Sequence, residues 1–150
     1  MVKALPQLLP RAAAWAEAAS VAAIAAGAPL TPDQRADALA VGVQQPDKVR
    51  IVVCDDFPRP DSDAELLQAA TAAGLLGPGA TGMTLGYAVF IRTGAMTRAL
   101  LTHECRHVHQ FEVAGSISEF LAQYLPSLLT HGYRDCPFEI DARQHELYDE

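Results

Sequence analysis

The spacing of apolar residues changes along the chain and divides it into helical and strand-like parts. An Ala-rich stretch from about residue 10 to 26 predicts a first helix. The segment 31–34, Thr-Pro-Asp-Gln, combines an N-cap residue, a proline at the first helical position and a glutamine that can close a capping box. A second helix is therefore predicted from there to about Val41, and residues 1–45 form a predicted helical N-terminal part.

Two short segments rich in β-branched and aromatic residues follow, and they predict strands. The segment 49–54 reads Val-Arg-Ile-Val-Val-Cys, and the segment 87–92 reads Tyr-Ala-Val-Phe-Ile-Arg. Residues 83–85 either extend the second strand or form a strand of their own. The sequence therefore predicts a small sheet of about two to four strands.

A helix is predicted between these two strands, because Asp61 or Ser62 provides an N-cap and the helical pattern continues to about Ala73. The strand, helix and strand would form a right-handed crossover if the two strands are parallel neighbours. Residues 46–95 are therefore predicted to contain the small sheet and its crossover helix.

The last third of the chain is predicted to be helical. Residues 97–113 lack glycine and proline and carry apolar residues on one side. A capping box over residues 116–119 starts a further helix, which Pro126 should kink or shorten, and Pro137 suits the first position of a last helix. Residues 96–150 thus complete one mostly helical α+β domain, in which a long helix is followed by two further helices.

Length, charge and cysteine content narrow the possible partners. The 150 residues fit one domain, and the net charge of -7 repels phosphate backbones, so we expect no nucleic-acid partner. Every long apolar run is interrupted by charges or helix breakers, so we expect no membrane partner. Three cysteines at irregular spacing do not form a disulfide framework and are typical of the reducing cytoplasm.

The strongest chemical signal lies on the predicted long helix of the last third. His103, Glu104 and His107 form the pattern His-Glu-x-x-His, a known metalloprotease motif. Residues four apart on a helix lie about 40° from each other, so both imidazoles project from one face and can bind one cation. Glu104 lies about 100° from His103, where its carboxylate can hydrogen-bond a metal-bound water. His109 lies about 240° away and is excluded as a ligand, whereas Gln110 returns to the histidine face.

Two histidines do not complete such a site. A catalytic zinc usually takes three protein ligands and leaves one position open. Possible third ligands lie later in the chain, and these are His131, Asp135, Glu139, Asp141, His145 and Glu146. The residue types fit zinc, and they also fit manganese, iron or cobalt.

These residues resemble the zincin metallopeptidases, specifically the gluzincins, which combine His-Glu-x-x-His with a glutamate on a later helix. The segment 139–142, Glu-Ile-Asp-Ala, matches the Glu-x-x-Ala context of that glutamate, and the small Ala142 lets the two helices approach closely. The resemblance covers roughly the last 70 residues, and this part is similar to small bacterial zincin-like proteins. Arg143 is a departure, because the family frequently has there an aspartate that hydrogen-bonds a ligand histidine.

The resemblance implies one zinc ion bound by His103, His107 and Glu139. It implies that Glu104 acts as the general base of a hydrolase, specifically a peptidase, with a peptide or protein as its substrate. It also implies that the strand 87–92 borders the cleft and pairs with an extended substrate.

Two further points stay open at this stage. The donor that would hold the oxyanion is one of Tyr133, His131 and Tyr124, and Tyr133 is favoured because it follows a glycine in a predicted loop between helices. The alternative to a hydrolase is an inactive binding or regulatory module with a structural or vestigial metal site. Glu104 favours the hydrolase, since a structural zinc site needs four protein ligands and no base.

Overall fold

The computed structural model describes residues 5–75, 77 and 79–149, and it shows a mostly helical α+β fold. None of the helices in this part of the chain is long and apolar enough to cross a membrane. The elements in chain order are α1 (Leu5–Ala26), β1 (Ala28–Pro29), α2 (Pro32–Ala40), β2 (Arg50–Cys54), α3 (Ala64–Ala72), β3 (Gly82–Leu85), β4 (Ala88–Arg92), α4 (Arg98–Ala114), α5 (Ile117–Asp135) and α6 (Pro137–Gln144).

The first helix is longer than predicted, since it begins at Leu5 rather than near residue 10. Pro10 lies inside the helix, and the carbonyl that it deprives of a helical partner belongs to Pro6. Both prolines are exposed, so water can bind that carbonyl. Leu8 stabilises the added turn by packing against Leu66 of α3.

The cap of α2 was predicted correctly and the cap of α3 was not. The Thr31 hydroxyl accepts the backbone N–H of Gln34 at 3.2 Å, and the Gln34 side chain accepts that of Thr31 at 2.9 Å. The N-cap of α3 is Asp63, one residue after the predicted positions, and it accepts the N–H of Leu66 at 3.1 Å. Asp63 also binds Arg11, so this cap is fixed by an ion pair with α1.

The sheet has the strand order β1-β2-β4-β3. Strands β2 and β4 are parallel neighbours, as the strand–helix–strand prediction requires. Strand β3 is a separate strand that runs antiparallel to β4, and Gly86 in the turn between them has a φ of +64°, which glycine adopts without strain. Strand β1 was not predicted, because two residues show no pattern.

The sheet lies between α1 and α4, and strand β4 is buried on both faces. Val89 and Ile91 pack in one cluster with Leu101 of α4, whereas Ala88 and Phe90 pack in another with residues of α1. This alternation follows the two-residue period of a strand. The sheet therefore supports α4 along one whole side.

The last two helices meet at a break in the chain that brings α6 against α4. Helix α5 continues through Pro126, and the carbonyl freed by this proline belongs to the exposed Ala122. The break comes instead at Gly132, with φ 77° and ψ 166°, a conformation that favours glycine. Helix α6 begins at Pro137, as predicted, and packs against α4.

Candidate metal centre

Helix α4 carries the histidine motif and is fixed at both ends. The Thr97 hydroxyl caps its start by accepting the N–H of Leu100 at 3.0 Å, and Gly115 ends it with a φ of +104°. One side of α4 packs on the sheet through apolar residues. The other side carries four polar residues that are nevertheless buried, namely His103, Glu104, His107 and Gln110.

Two imidazoles of α4 and one carboxylate of α6 converge on a single point. Nε2 of His103 lies 3.1 Å from Oε1 of Glu139, and Nε2 of His107 lies 3.2 Å from the same oxygen. One ligand atom of each residue lies within 4.8 Å of the other two. All three side chains are buried. The structure thus brings together the three residues predicted as metal ligands.

The contacts of Gln110 determine which nitrogen of His107 carries the proton. The amide nitrogen of Gln110 donates to the carbonyl of Phe138 and to the carboxylate of Asp141, each at 2.9 Å. Its amide oxygen therefore faces Nδ1 of His107, at 2.8 Å, and accepts the proton of that nitrogen. When the ring is neutral, Nε2 keeps a lone pair directed toward Glu139, and when the ring is protonated, Nε2 donates to that carboxylate instead.

His103 is oriented in the same sense by a residue that follows the last helix. Its Nδ1 lies 2.8 Å from Oε2 of Glu146, and a carboxylate can only accept that proton. The segment around Glu146 is held by the N–H of Leu147, which donates to the Thr102 hydroxyl at 2.9 Å. Glu146 therefore makes the hydrogen bond to a histidine of the motif that an acid at position 143, where Arg143 stands, was expected to make.

The distances from the Glu139 oxygen to the two imidazole nitrogens suit a small tetrahedral cation. For bonds of about 2.0–2.1 Å, neighbouring ligands in a tetrahedron lie about 3.3–3.4 Å apart. The two nitrogen–oxygen distances of 3.1 and 3.2 Å are close to this value. Two lone pairs that face a buried carboxylate also repel it unless a positive charge lies between them. The donor set could therefore hold a metal ion.

His103, His107 and Glu139, here called the triad, have pKa shifts that favour positive charge on the two imidazoles. Burial alone would lower the pKa of His107, but the hydrogen bond and negative charge of Glu139 outweigh it and raise that pKa to about 9. The pKa of His103 is also raised against burial, chiefly by its hydrogen bond to Glu139. Burial would raise the pKa of Glu139, yet the two imidazoles hold it well below its usual range.

Tyr124 contacts the carboxylate of Glu139 and already uses its hydroxyl proton in that contact. Its hydroxyl donates to Oε2 of Glu139 at 2.7 Å, and the side chain is buried. The Phe120 ring stacks on the Tyr124 ring with the centroids 5.3 Å apart. Of the three candidates for the oxyanion donor, Tyr124 is therefore the one that positions a ligand.

A second buried carboxylate, that of Glu104, lies on the sheet side of the triad. The Thr84 hydroxyl of β3 donates to its Oε1 at 2.9 Å. A Cβ atom at Gly82 would stand only 2.8 Å from its Oε2, so this glycine makes room for the carboxylate. Burial raises the pKa of Glu104, although the charges of the two histidines oppose the shift. A carboxylate with a raised pKa beside a group that could hold a metal ion suits a general base.

The strand that borders the site is β3, so the prediction that the strand 87–92 borders it is wrong. Strand β4 lies between β2 and β3 and is hydrogen-bonded on both edges. Strand β3 is the outermost strand on this side of the described sheet, and it contacts α4. An added chain could therefore pair with β3 and not with β4.

Other polar residues near the motif make contacts of their own. Asp141 binds Arg106 of α4 at 2.8 Å. Nδ1 of His109 lies 2.9 Å from the carbonyl of Gly42, away from the triad, as the helical spacing predicted. Within the described chain, the cluster that could hold a metal does not include the other predicted candidates, which are His131, Asp135, Asp141, His145 and Glu146.

Tyr133 follows the glycine break and lines the same cavity as the triad. Burial, followed by the negative charge of Glu139, raises the pKa of its hydroxyl, which therefore keeps its proton. The residue is 48% exposed, so its ring has room to turn toward a bound ligand. A role for Tyr133 as oxyanion donor stays a prediction.

The sequence did not point to Gly82 and Thr84, nor to the supporting role of Glu146. Gly82 and Thr84 reach Glu104 from a strand about twenty residues earlier, and helical spacing carries no information about such contacts. Glu146 was considered only as a ligand. The absence of an acid at position 143 was the signal that another carboxylate would be needed.

The cavity beside the triad has a volume of about 890 Å³ and is lined by residues of α1, α3, β3, α4, α5 and α6. No protein-family model matches the chain, and the searches of curated proteins and solved structures also gave no match. The function must therefore be argued from the geometry of the site itself.

Proposed function

We propose that the protein is a zinc-dependent hydrolase that cleaves peptide bonds in a peptide or protein substrate, in the manner of a small gluzincin-like zincin. One observation carries this proposal. A buried group of two imidazoles and a carboxylate lies beside a second buried carboxylate that is not part of the group. Three protein ligands leave one coordination position open, which is typical of catalytic zinc sites.

The proposed ligands are His103, His107 and Glu139, and zinc is the metal that best suits two imidazoles and one carboxylate. A bound zinc ion would lower the pKa of a water molecule and polarise a carbonyl oxygen. The chain's own part is to orient the ligands. Gln110 and Glu146 accept the Nδ1 protons of the two imidazoles and so direct both Nε2 atoms to one point.

Glu104 is the proposed general base. Its carboxylate accepts a proton from the attacking water and passes it to the leaving amine nitrogen. Thr84 and Gly82 hold this carboxylate at the edge of the sheet, beside the place where an extended peptide could pair with β3. The Tyr133 hydroxyl donates a hydrogen bond to the oxygen on which negative charge develops.

The experiment that tests this function combines metal analysis with hydrolysis of an unfolded protein by the purified chain. We expect one zinc per chain, and Glu104→Gln should retain the zinc while abolishing hydrolysis. Glu17→Gln is the matched control, because Glu17 is exposed on α1. Unchanged hydrolysis by Glu104→Gln would remove Glu104 as the base.

A second candidate function is a metal-binding module without turnover. The observation that favours it is that the triad joins α4 to α6, as a structural metal would. In that case zinc removal should lower the unfolding temperature, and no peptide should be hydrolysed by the loaded protein. Hydrolysis that depends on Glu104 rules this candidate out.

A further inference from the structure

The cavity beside the metal centre has two chemically different parts. Around the triad, its wall carries ionisable side chains from α4, α5 and α6, including Glu104, Tyr133 and Arg143. Between α1, α3 and α5, the wall is formed mainly by aliphatic side chains, including Leu8, Ala12, Leu66, Ala69, Leu121 and Leu125.

This apolar part suits a hydrocarbon better than a peptide backbone. Each peptide unit would carry an N–H and a C=O group inside, and a buried polar group without a partner costs free energy. The backbone of α1, α3 and α5 in this part is helical, so its polar groups already bond to each other. Strand β3, which also lines the cavity, belongs to the rest of its wall. The polar side chains that α3 adds to the wall, Glu65 and Gln68, are exposed. A hydrocarbon chain brings no polar groups and is stabilised by burial.

The dimensions of the wall set the length of that chain. Residues of α1 from Leu5 to Ala16 line the cavity, and they extend over about 16 Å at a rise of about 1.5 Å per residue. An extended hydrocarbon advances about 1.3 Å per carbon, given a C–C bond of about 1.5 Å, so about 12 carbons fit this length. The volume of about 890 Å³ is within the usual range for a ligand site.

We propose that the bond cleaved in this peptide or protein substrate is the amide that joins one of its amino groups to an unbranched acyl chain of about 12 carbons, and that the acyl chain is held between α1, α3 and α5. This inference rests on the proposed hydrolase function and names its substrate class. The oxygen of water bonds to the acyl carbon and the carbon–nitrogen bond breaks. The acid leaves as a carboxylate, and the amine nitrogen takes up both protons of the water, one of them through Glu104.

Trp15 provides a direct measurement, because it is the only tryptophan of the chain and lines the cavity. The zinc-loaded protein is titrated with N-hexanoylglycinamide and with N-dodecanoylglycinamide below its micelle concentration, and Trp15 fluorescence is recorded. Each buried methylene contributes up to about fourfold in affinity, so the longer probe should bind at least about 100-fold more tightly. Equal affinities, or no saturable change with either probe, would overturn the proposal.

A blocking variant locates the chain within the cavity. Ala69→Phe places a ring on the α3 wall and should weaken binding of the dodecanoyl probe at least about tenfold, whereas Ala64→Phe, at an exposed position of α3 outside the wall, should not. Thermal unfolding shows whether each variant is folded. Unchanged binding by a folded Ala69→Phe contradicts the proposal, and if it does not fold, the chain-length series decides.

Binding and turnover separate this inference from the function on which it rests. Tight binding of the dodecanoyl probe without its hydrolysis would keep the hydrocarbon site and refute the hydrolase. Hydrolysis of an unfolded protein without binding of the dodecanoyl probe would keep the hydrolase and refute the hydrocarbon site. An acetylated leucine-rich peptide that binds more tightly than the dodecanoyl probe would also refute the hydrocarbon site.

Discussion

The two buried carboxylates of the site, Glu139 and Glu104, lie in opposite surroundings. Glu139 is contacted by two imidazoles and by the Tyr124 hydroxyl, and its pKa is held below the usual range. Glu104 accepts from the Thr84 hydroxyl, and burial raises its pKa. Two carboxylates whose surroundings shift their pKa values apart are suited to different tasks, which in the proposed function are metal binding and proton transfer.

The elements that hold these carboxylates also differ. The proposed metal ligands and the residues that contact them form the metal side of the site. They lie on α4, α5, α6 and the segment after α6, so several elements fix the ligands. The base side of the site consists of Glu104 and the residues of β3 that hold it. These are Thr84, which donates a hydrogen bond, and Gly82, which leaves space for the carboxylate. Changes on the metal side should therefore alter zinc affinity and turnover together, whereas changes on the base side should alter turnover at unchanged zinc affinity.

Removal of the Glu139 carboxylate, which contacts both imidazoles, should have the largest effect on zinc affinity. Glu139→Ala leaves both imidazoles without the third ligand, and zinc affinity should fall by far more than the roughly 100-fold expected for loss of a supporting residue. Zinc affinity is measured by competition with a chelator. His131→Ala and Asp135→Ala, at exposed positions, are the controls. A large loss in either control, and none in Glu139→Ala, would identify a different ligand.

Filling the space that Gly82 leaves beside Glu104 should have the next largest effect, and this effect should be on kcat. In Gly82→Ala, the added methyl group would stand 2.8 Å from Oε2 of Glu104, so the flexible carboxylate has to move. A misplacement of about 1 Å can cost about 100-fold in rate, and we expect this loss in kcat at unchanged zinc affinity. Gly79→Ala is the matched control, because a Cβ there meets no neighbour within 4 Å. Normal kcat in a folded Gly82→Ala would contradict the assigned position of the base.

These two predictions differ in how far the sequence alone supports them. His103, Glu104 and His107 could be placed on one helix because helical spacing is regular. Glu139 could be chosen among six candidates only through a family resemblance, since the turn at Gly132 that brings α6 to α4 involves contacts distant in sequence. The contact of Gly82 with Glu104 depends on how β3 packs against α4, which no local pattern encodes.

The same limit applies to boundaries in the fold. A capping box located the start of α2, and a proline at the first helical position located the start of α6, because both signals lie within a few residues of the helix start. The predicted start of α1 near residue 10 and the predicted kink or shortening of α5 at Pro126 were wrong, because exposure to water and packing decide whether a proline is tolerated. Tertiary contacts therefore override local propensity at these places.

Loss of the contact between Glu146 and His103 should lower zinc affinity less than loss of a ligand does, and more than loss of a surface residue does. Glu146→Ala removes the acceptor of the Nδ1 proton, and zinc affinity should fall about 10- to 100-fold, together with turnover at limiting zinc. Glu146→Gln keeps an acceptor oxygen and should lose less. Asp149→Ala, three residues later at an exposed position, is the control. Equal affinities in all of these variants would show that His103 is oriented by other contacts.

The smallest effect is expected at the hydroxyl that holds the base. Thr84→Val keeps the shape of the side chain and removes the donor to Glu104, and loss of one such hydrogen bond corresponds to about tenfold in kcat. Thr84→Ser should restore most of the rate because it restores the hydroxyl, which a purely structural role of the methyl group would not explain. Zinc affinity should stay the same in both variants. If Thr84→Val instead weakened zinc binding as much as Glu146→Ala does, the two sides of the site would be coupled and their separation would fail.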